Sequence, residues 1–148
     1  MKVTISLLGI LMLTAVMLLA CGGGIAKTNE VQGTEVQVEG GSYWLITPAQ
    51  LYSMLDNKDF LLVNTETSYL GEIPDTDLFI PYNEIEQNLG KFPQNKANKI
   101  VIYCSFGAKS NVAAITLVKA GYTKVMDLQG GMMEWEGRGY AIIRRPVH

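Results

Sequence analysis

Two four-residue apolar runs, Phe60–Val63 and Ile100–Tyr103, constrain what this 148-residue chain can fold into more than anything else in it. Neither alternates with polar residues, so a strand made from either must be covered on both faces, as in a parallel sheet with helices on each side. Helical signals fall between the extended ones. Thr47-Pro48-Ala49-Gln50 reads as a helix start, with a hydroxyl N-cap, Pro at the first helical position and Gln placed to complete a capping box. Leu51, Met54 and Leu55 supply that helix's apolar face. A short helix is predicted over 82–89, with Ile85 and Leu89 at i, i+4, and a strongly apolar one over 111–120 that Gly121 ends. Further extended segments are predicted at 43–46, 122–128 and 140–143, with a last helix over 132–136. Strands alternating with helices predict an α/β fold, a single domain whose mainly parallel sheet is flanked by helices.

The first twenty residues stand apart. Lys2 is their only charge and 3–20 are almost wholly apolar, the pattern of a signal peptide. The stretch closes as Leu18-Leu19-Ala20-Cys21 and resembles the lipobox of bacterial lipoproteins, in which the cysteine is lipidated and becomes the new N-terminus. The alternative is an uncleaved membrane helix, since an apolar run of this length can just span a bilayer. Either way the domain is expected on the extracytoplasmic side of the cell envelope, anchored to a membrane. Residues 21–42 are polar, rich in Gly, Glu, Gln and Thr, and read as a flexible tether, leaving 43–148 as the folded domain.

Composition narrows the function classes. Fourteen acidic residues face twelve basic ones, and Lys2 lies in the leader, so no basic surface is available to hold nucleic acid. A hydrophobic content of 48% excludes a disordered chain, and two cysteines cannot staple a disulfide scaffold. If lipid consumes the sulfur of Cys21, Cys104 is the only thiol of the mature chain.

Cys104 follows directly from the Ile100–Tyr103 strand, at the start of Cys104-Ser105-Phe106-Gly107-Ala108-Lys109-Ser110, and a helix follows at once. Sites in open parallel sheets lie at the carboxyl ends of the strands, where this thiol falls. The chain then curls toward a helix N-terminus, so backbone N–H groups and the helix dipole can converge on an anionic sulfur. Gly107 permits a tight or left-handed turn, and Lys109 adds a positive charge. The bland alternative is a small buried hydrophobe, which free cysteines usually are.

This stretch resembles the active-site loop of the rhodanese family, with Cys104, Gly107, Lys109 and Ser110 in the places of its cysteine, glycine, basic residue and serine. Leu128-Gln129-Gly130-Gly131-Met132-Met133-Glu134-Trp135 is similar to the family's closing Gly-Gly pair and Trp-bearing helix, and Gly121-Tyr122 and Gly139-Tyr140 match its turns. The resemblance implies sulfur transfer through a persulfide on Cys104, with Lys109 as electrostatic helper and the amides of Ser105, Phe106, Gly107, Ala108, Lys109 and Ser110 holding the sulfur anion. It implies a small sulfane-sulfur donor, a thiol or other nucleophilic acceptor, and no metal or organic cofactor. The family's early Asp-x-Arg appears here as Asn64-Thr65-Glu66, and its Gly-His-Ile as Gly71-Glu72-Ile73. These departures at Asn64, Glu66 and Glu72 motivate a second reading, a non-catalytic protein-binding module, and a thiol redox sensor working through Cys104 and an external thiol, which shares the same loop, is a third.

Other candidates carry little. The six-residue span Cys104–Lys109 and the lack of any arginine from Cys21 to Gly137 argue against the phosphatases of this fold, which need a bidentate phosphate clamp. His148, the sole histidine, sits on the last residue, and the usual zinc-ligand spacings are missing. Trp44 and Trp135 read as packing residues, Met132 and Met133 as partly core, and Asp75-Thr76-Asp77 as a solvated turn.

Overall fold

The structure, a computed structural model, describes residues 33–145. Six strands form one sheet: β1 (Thr34–Val38), β2 (Gly41–Ile46), β3 (Leu61–Asn64), β4 (Leu78–Phe79), β5 (Ile100–Tyr103) and β6 (Val125–Leu128). Their spatial order is β1-β2-β6-β5-β3-β4, parallel throughout except for the antiparallel β1–β2 hairpin. Among the described residues three α-helices accompany them, α1 (Pro48–Leu55), α2 (Ala108–Lys119) and α3 (Gly131–Gly137).

The doubly covered strands stand at the centre, as their uniform hydrophobicity requires. Every residue of β5 is buried, and its alternate side chains join two separate cores. Ile100 and Ile102 pack with Ala113, Ala114 and Leu117 of α2, while Val101 and Tyr103 pack with Leu51 of α1 and Trp135 of α3. The capping box at Thr47 and Gln50 forms as its sequence predicts. Helix α2 begins at Ala108, three residues before the apolar stretch. At its other end Tyr122 N–H donates to Leu117 and Gly121 N–H to Val118, a left-handed glycine termination.

Three expectations need correction. Part of the tether assigned to 21–42 is a β-hairpin instead: β1 pairs with β2 from Thr34↔Leu45 to Val38↔Gly41, around a Glu39-Gly40 turn. Only Val36 and Val38 of β1 pack on the core, so an edge strand with one wet face looks polar in sequence. The helix predicted over 82–89 is instead two 3-10 turns, Tyr82–Glu84 and Glu86–Lys91. Asn88 breaks the second with non-helical torsions, its side chain donating to the Glu84 carbonyl in competition with the backbone ladder. The extended segment at 140–143 forms no strand; it makes one bridge, in which Glu72 and Ile143 exchange backbone hydrogen bonds of 2.8 Å. Cys21 and His148 lie outside the described residues.

Candidate active site

Because β3, β5 and β6 are adjacent and parallel, the segments leaving their carboxyl ends emerge side by side. These are Asn64-Thr65-Glu66, the loop from Cys104, and Gln129-Gly130-Gly131. The fold thus brings together residues far apart in sequence.

Cys104 is 2% exposed and is the free thiol of the described residues. Its Sγ accepts hydrogen bonds from the N–H of Gly107 at 3.1 Å and of Ser110 at 3.5 Å. Gly107 takes φ +96°, a left-handed conformation that turns its amide back toward the sulfur and caps α2. A sulfur so placed meets the positive end of a helix and two aimed N–H groups, an arrangement suited to a charged sulfur.

The expectation that amides from Ser105 to Ser110 all face the sulfur holds at two of them. The Ser105 amide turns away to Glu66 Oε2 at 3.2 Å, and the Ser105 hydroxyl donates to the same oxygen at 2.7 Å. Phe106 points outward, 72% exposed, and Ala108 is exposed on the first turn of α2. The Ser110 hydroxyl donates to the Gly107 carbonyl and fixes the turn.

Lys109 is not a solitary charge beside the sulfur. Its ammonium pairs with Glu66 Oε1 and also reaches Thr67 Oγ1 at 3.3 Å. That hydrogen bond to Glu66 is the main cause of a Lys109 pKa above the ordinary lysine value. Burial pushes the Glu66 carboxyl up, but hydrogen bonds from Lys109, Ser105 and the Thr67 amide outweigh it and bring Glu66 down to about 2. The sign reversal at Glu66 is therefore matched by Lys109, and the pair ties the Cys104 loop to the end of β3. Asn64 shapes the turn that presents Glu66, donating to the Gly71 carbonyl and accepting from the Glu66 amide, both at 3.0 Å.

The third side is α3. Its Met132 and Met133 amides donate to the carbonyls of Cys104 and Ser105 at 2.8 and 3.0 Å. A Cβ on Gly131 would stand 2.2 Å from the Cys104 carbonyl oxygen, so only glycine permits this approach. Trp135, 1% exposed, anchors the helix and donates to the Ala141 carbonyl. Met132 is buried and Met133 exposed.

Sequence reading missed Asp127. It is buried on β6, its Oδ1 has no hydrogen-bond partner, and burial pushes its carboxyl up to about 7, which the nearby Ser110 side chain only partly offsets. A single acid within a strand pattern offers no signal of this. The paired cations of the C-terminal segment were missed as well: Arg145 pairs with Glu72, and Arg144 with Glu136 at 2.9 Å.

The comparisons agree with this architecture. Residues 47–138 match the rhodanese-like domain family. The chain belongs to that family. It is 34% identical over 93 residues to a protein of Allochromatium vinosum named a sulfurtransferase, covering 61% of this chain and 84% of that protein. It is 27% identical over 96 residues to a tRNA uridine(34) hydroxylase of Enterobacter sp., covering 61% of this chain but only 28% of the relative. A rhodanese-related protein of known structure from Thermoplasma volcanium superposes with a TM-score of 0.58 at 23% identity, covering 66% of this chain and 95% of that one, and supports the fold.

Proposed function

We propose that this domain is a sulfurtransferase or persulfide carrier that moves sulfane sulfur through Cys104, working outside the cytoplasm on a lipid anchor at Cys21. The observation that carries the chemistry is the pair of amides, from Gly107 and Ser110, directed at the buried Sγ of Cys104 ahead of the N-terminus of α2. Membership of the rhodanese-like family and the likeness to a protein named a sulfurtransferase support it.

In the first step the Cys104 thiolate attacks the outer sulfur of a donor. A sulfur–sulfur bond forms at Sγ, and the donor's own bond to that sulfur breaks, its electron pair leaving with the donor. The cradle then holds a persulfide, and an acceptor thiolate attacks its outer sulfur and returns Cys104 to its thiolate. The backbone donors are fixed before reaction, so holding the extra sulfur needs little reorganisation.

A pure protein-binding module is the second reading, motivated by Asn64, Glu66 and Glu72. The first two are occupied in shaping and tying the Cys104 loop, which a module without chemistry does not need. Sulfur release to a thiol, followed with polysulfide as donor, decides between them: wild type transfers and Cys104→Ala does not. Equal rates in both proteins reject the covalent mechanism. The anchor is tested by fractionation of cells producing Cys21→Ser, which is expected in the soluble extracytoplasmic fraction. A variant that stays with the membrane supports the uncleaved helix instead.

A further inference from the structure

Beside the Cys104 loop lies a cavity of about 140 Å³, lined by Leu70, Phe106, Met132, Met133 and Ile142 together with Ser105, Glu136 and Arg144. Several of its apolar lining side chains stand in water. Phe106, Leu70 and Met133 are 72%, 57% and 54% exposed. Large side chains left in water and gathered at one concavity mark a place where apolar matter docks.

The charges around it are already matched. Arg144 pairs with Glu136, Arg145 with Glu72 and Lys109 with Glu66. Among the described residues, each of these cations at this end of the sheet has a carboxylate partner. A small dianion such as thiosulfate would find each of these cations already paired, whereas an uncharged hydrocarbon body needs none of them.

Resting on the sulfur-transfer reading above, we infer that the cavity selects the sulfur acceptor, and that the acceptor is a small organic thiol with an apolar body seated against Leu70, Phe106 and Met133. The volume admits a few carbon atoms, not a protein segment of any length. Ser105 and Phe106, which line it, follow directly after Cys104 in the chain. In the transfer, the thiolate of the bound molecule attacks the outer sulfur of protonated Cys104–S–SH. A new sulfur–sulfur bond forms, the bond to Sγ breaks with its electron pair returning to Sγ, and the proton stays on the transferred sulfur. The products are an organic persulfide and the Cys104 thiolate, with no external oxidant or reductant.

The test loads Cys104 with inorganic polysulfide, confirms one added sulfur by intact mass, and then follows discharge to 1-butanethiol and to 2-mercaptoethanol, with rates compared per thiolate. Wild type is expected to discharge to butanethiol about tenfold faster, from burial of two or so extra methylenes. Met133→Glu and Leu70→Glu each place a charge in the cavity wall from an exposed position and are expected to reduce that preference to about twofold. Val112→Glu, an exposed position on α2 away from the cavity, serves as control and should keep the wild-type preference. Equal per-thiolate rates in a wild type that loads normally, or an unchanged preference in both cavity variants, overturn the inference. A wild type that never gains sulfur rejects the sulfur-transfer reading itself, and the acceptor site with it.

Discussion

Glu66 and Lys109 show how a residue's role depends on its partner. Taken alone, Lys109 would assist an anionic sulfur and an anionic donor, and its removal would be felt mainly at low salt. Paired with Glu66 it neutralises a carboxylate that sits 3% exposed and holds the Ser105 amide and hydroxyl. Lys109→Ala therefore leaves an uncompensated negative charge close to the loop, and is expected to slow sulfur uptake by about tenfold. The double variant Lys109→Ala/Glu66→Gln removes both charges and should recover much of that loss; a double variant slower than the product of the two single effects contradicts the pairing. Glu66→Ala strips the acceptor from two buried donors of Ser105 and is expected to cost about 2 kcal/mol in chemical denaturation.

At the scale of elements, the helix that follows the Gly-Gly pair supports the loop more tightly than its short length suggests. Gly131→Ala forces a Cβ against the Cys104 carbonyl at a backbone φ of +59°, and is expected to lower the melting temperature by about 10 °C or more and to impair sulfur uptake together with it. Normal melting in this variant would contradict the close approach. The central strands, the capping box and the Cys104 loop were legible because each is written in contiguous residues: an unbroken apolar run, a Thr-Pro-x-Gln start, a Cys-x-x-Gly turn ahead of a helix. The remainder was not local. Glu66 was visible as a departure, but its partner lies 43 positions away and is found only when β3 and β5 pair. The polar strand β1 hid because one side of an edge strand stays wet, although the Val36–Val38 alternation and the Gly40 turn were the available signal. The 3-10 turns after Pro81 were unreadable for a similar reason, since helical spacing alone does not report the Asn88 side chain bonding to Glu84.

For the whole molecule, two carboxyls pull stability in opposite directions with pH. Glu66, lowered to about 2 from an ordinary 4.5, contributes stability that is present above pH 4.5 and lost as pH falls toward 2. Asp127, raised to about 7 from 3.8, favours the fold while both states keep the proton, and this contribution is lost as pH rises from 3.8 through 7. Thermal unfolding across pH is thus expected to show an acidic optimum, near pH 4–5 as far as these two groups decide it. Asp127→Asn should flatten the limb between pH 4 and 7, and an unchanged slope there would remove Asp127 as its source. All of this surrounds the one chemical event proposed for the domain, the capture of sulfur by Cys104 in a cradle built by β5, α2 and α3. Intact mass after brief exposure to polysulfide, removal of excess reagent and no reductant tests it most directly. Wild type should gain a single sulfur that a thiol removes, and Cys104→Ala should gain none; a wild type that stays unmodified, or an alanine variant that still takes up sulfur, contradicts it.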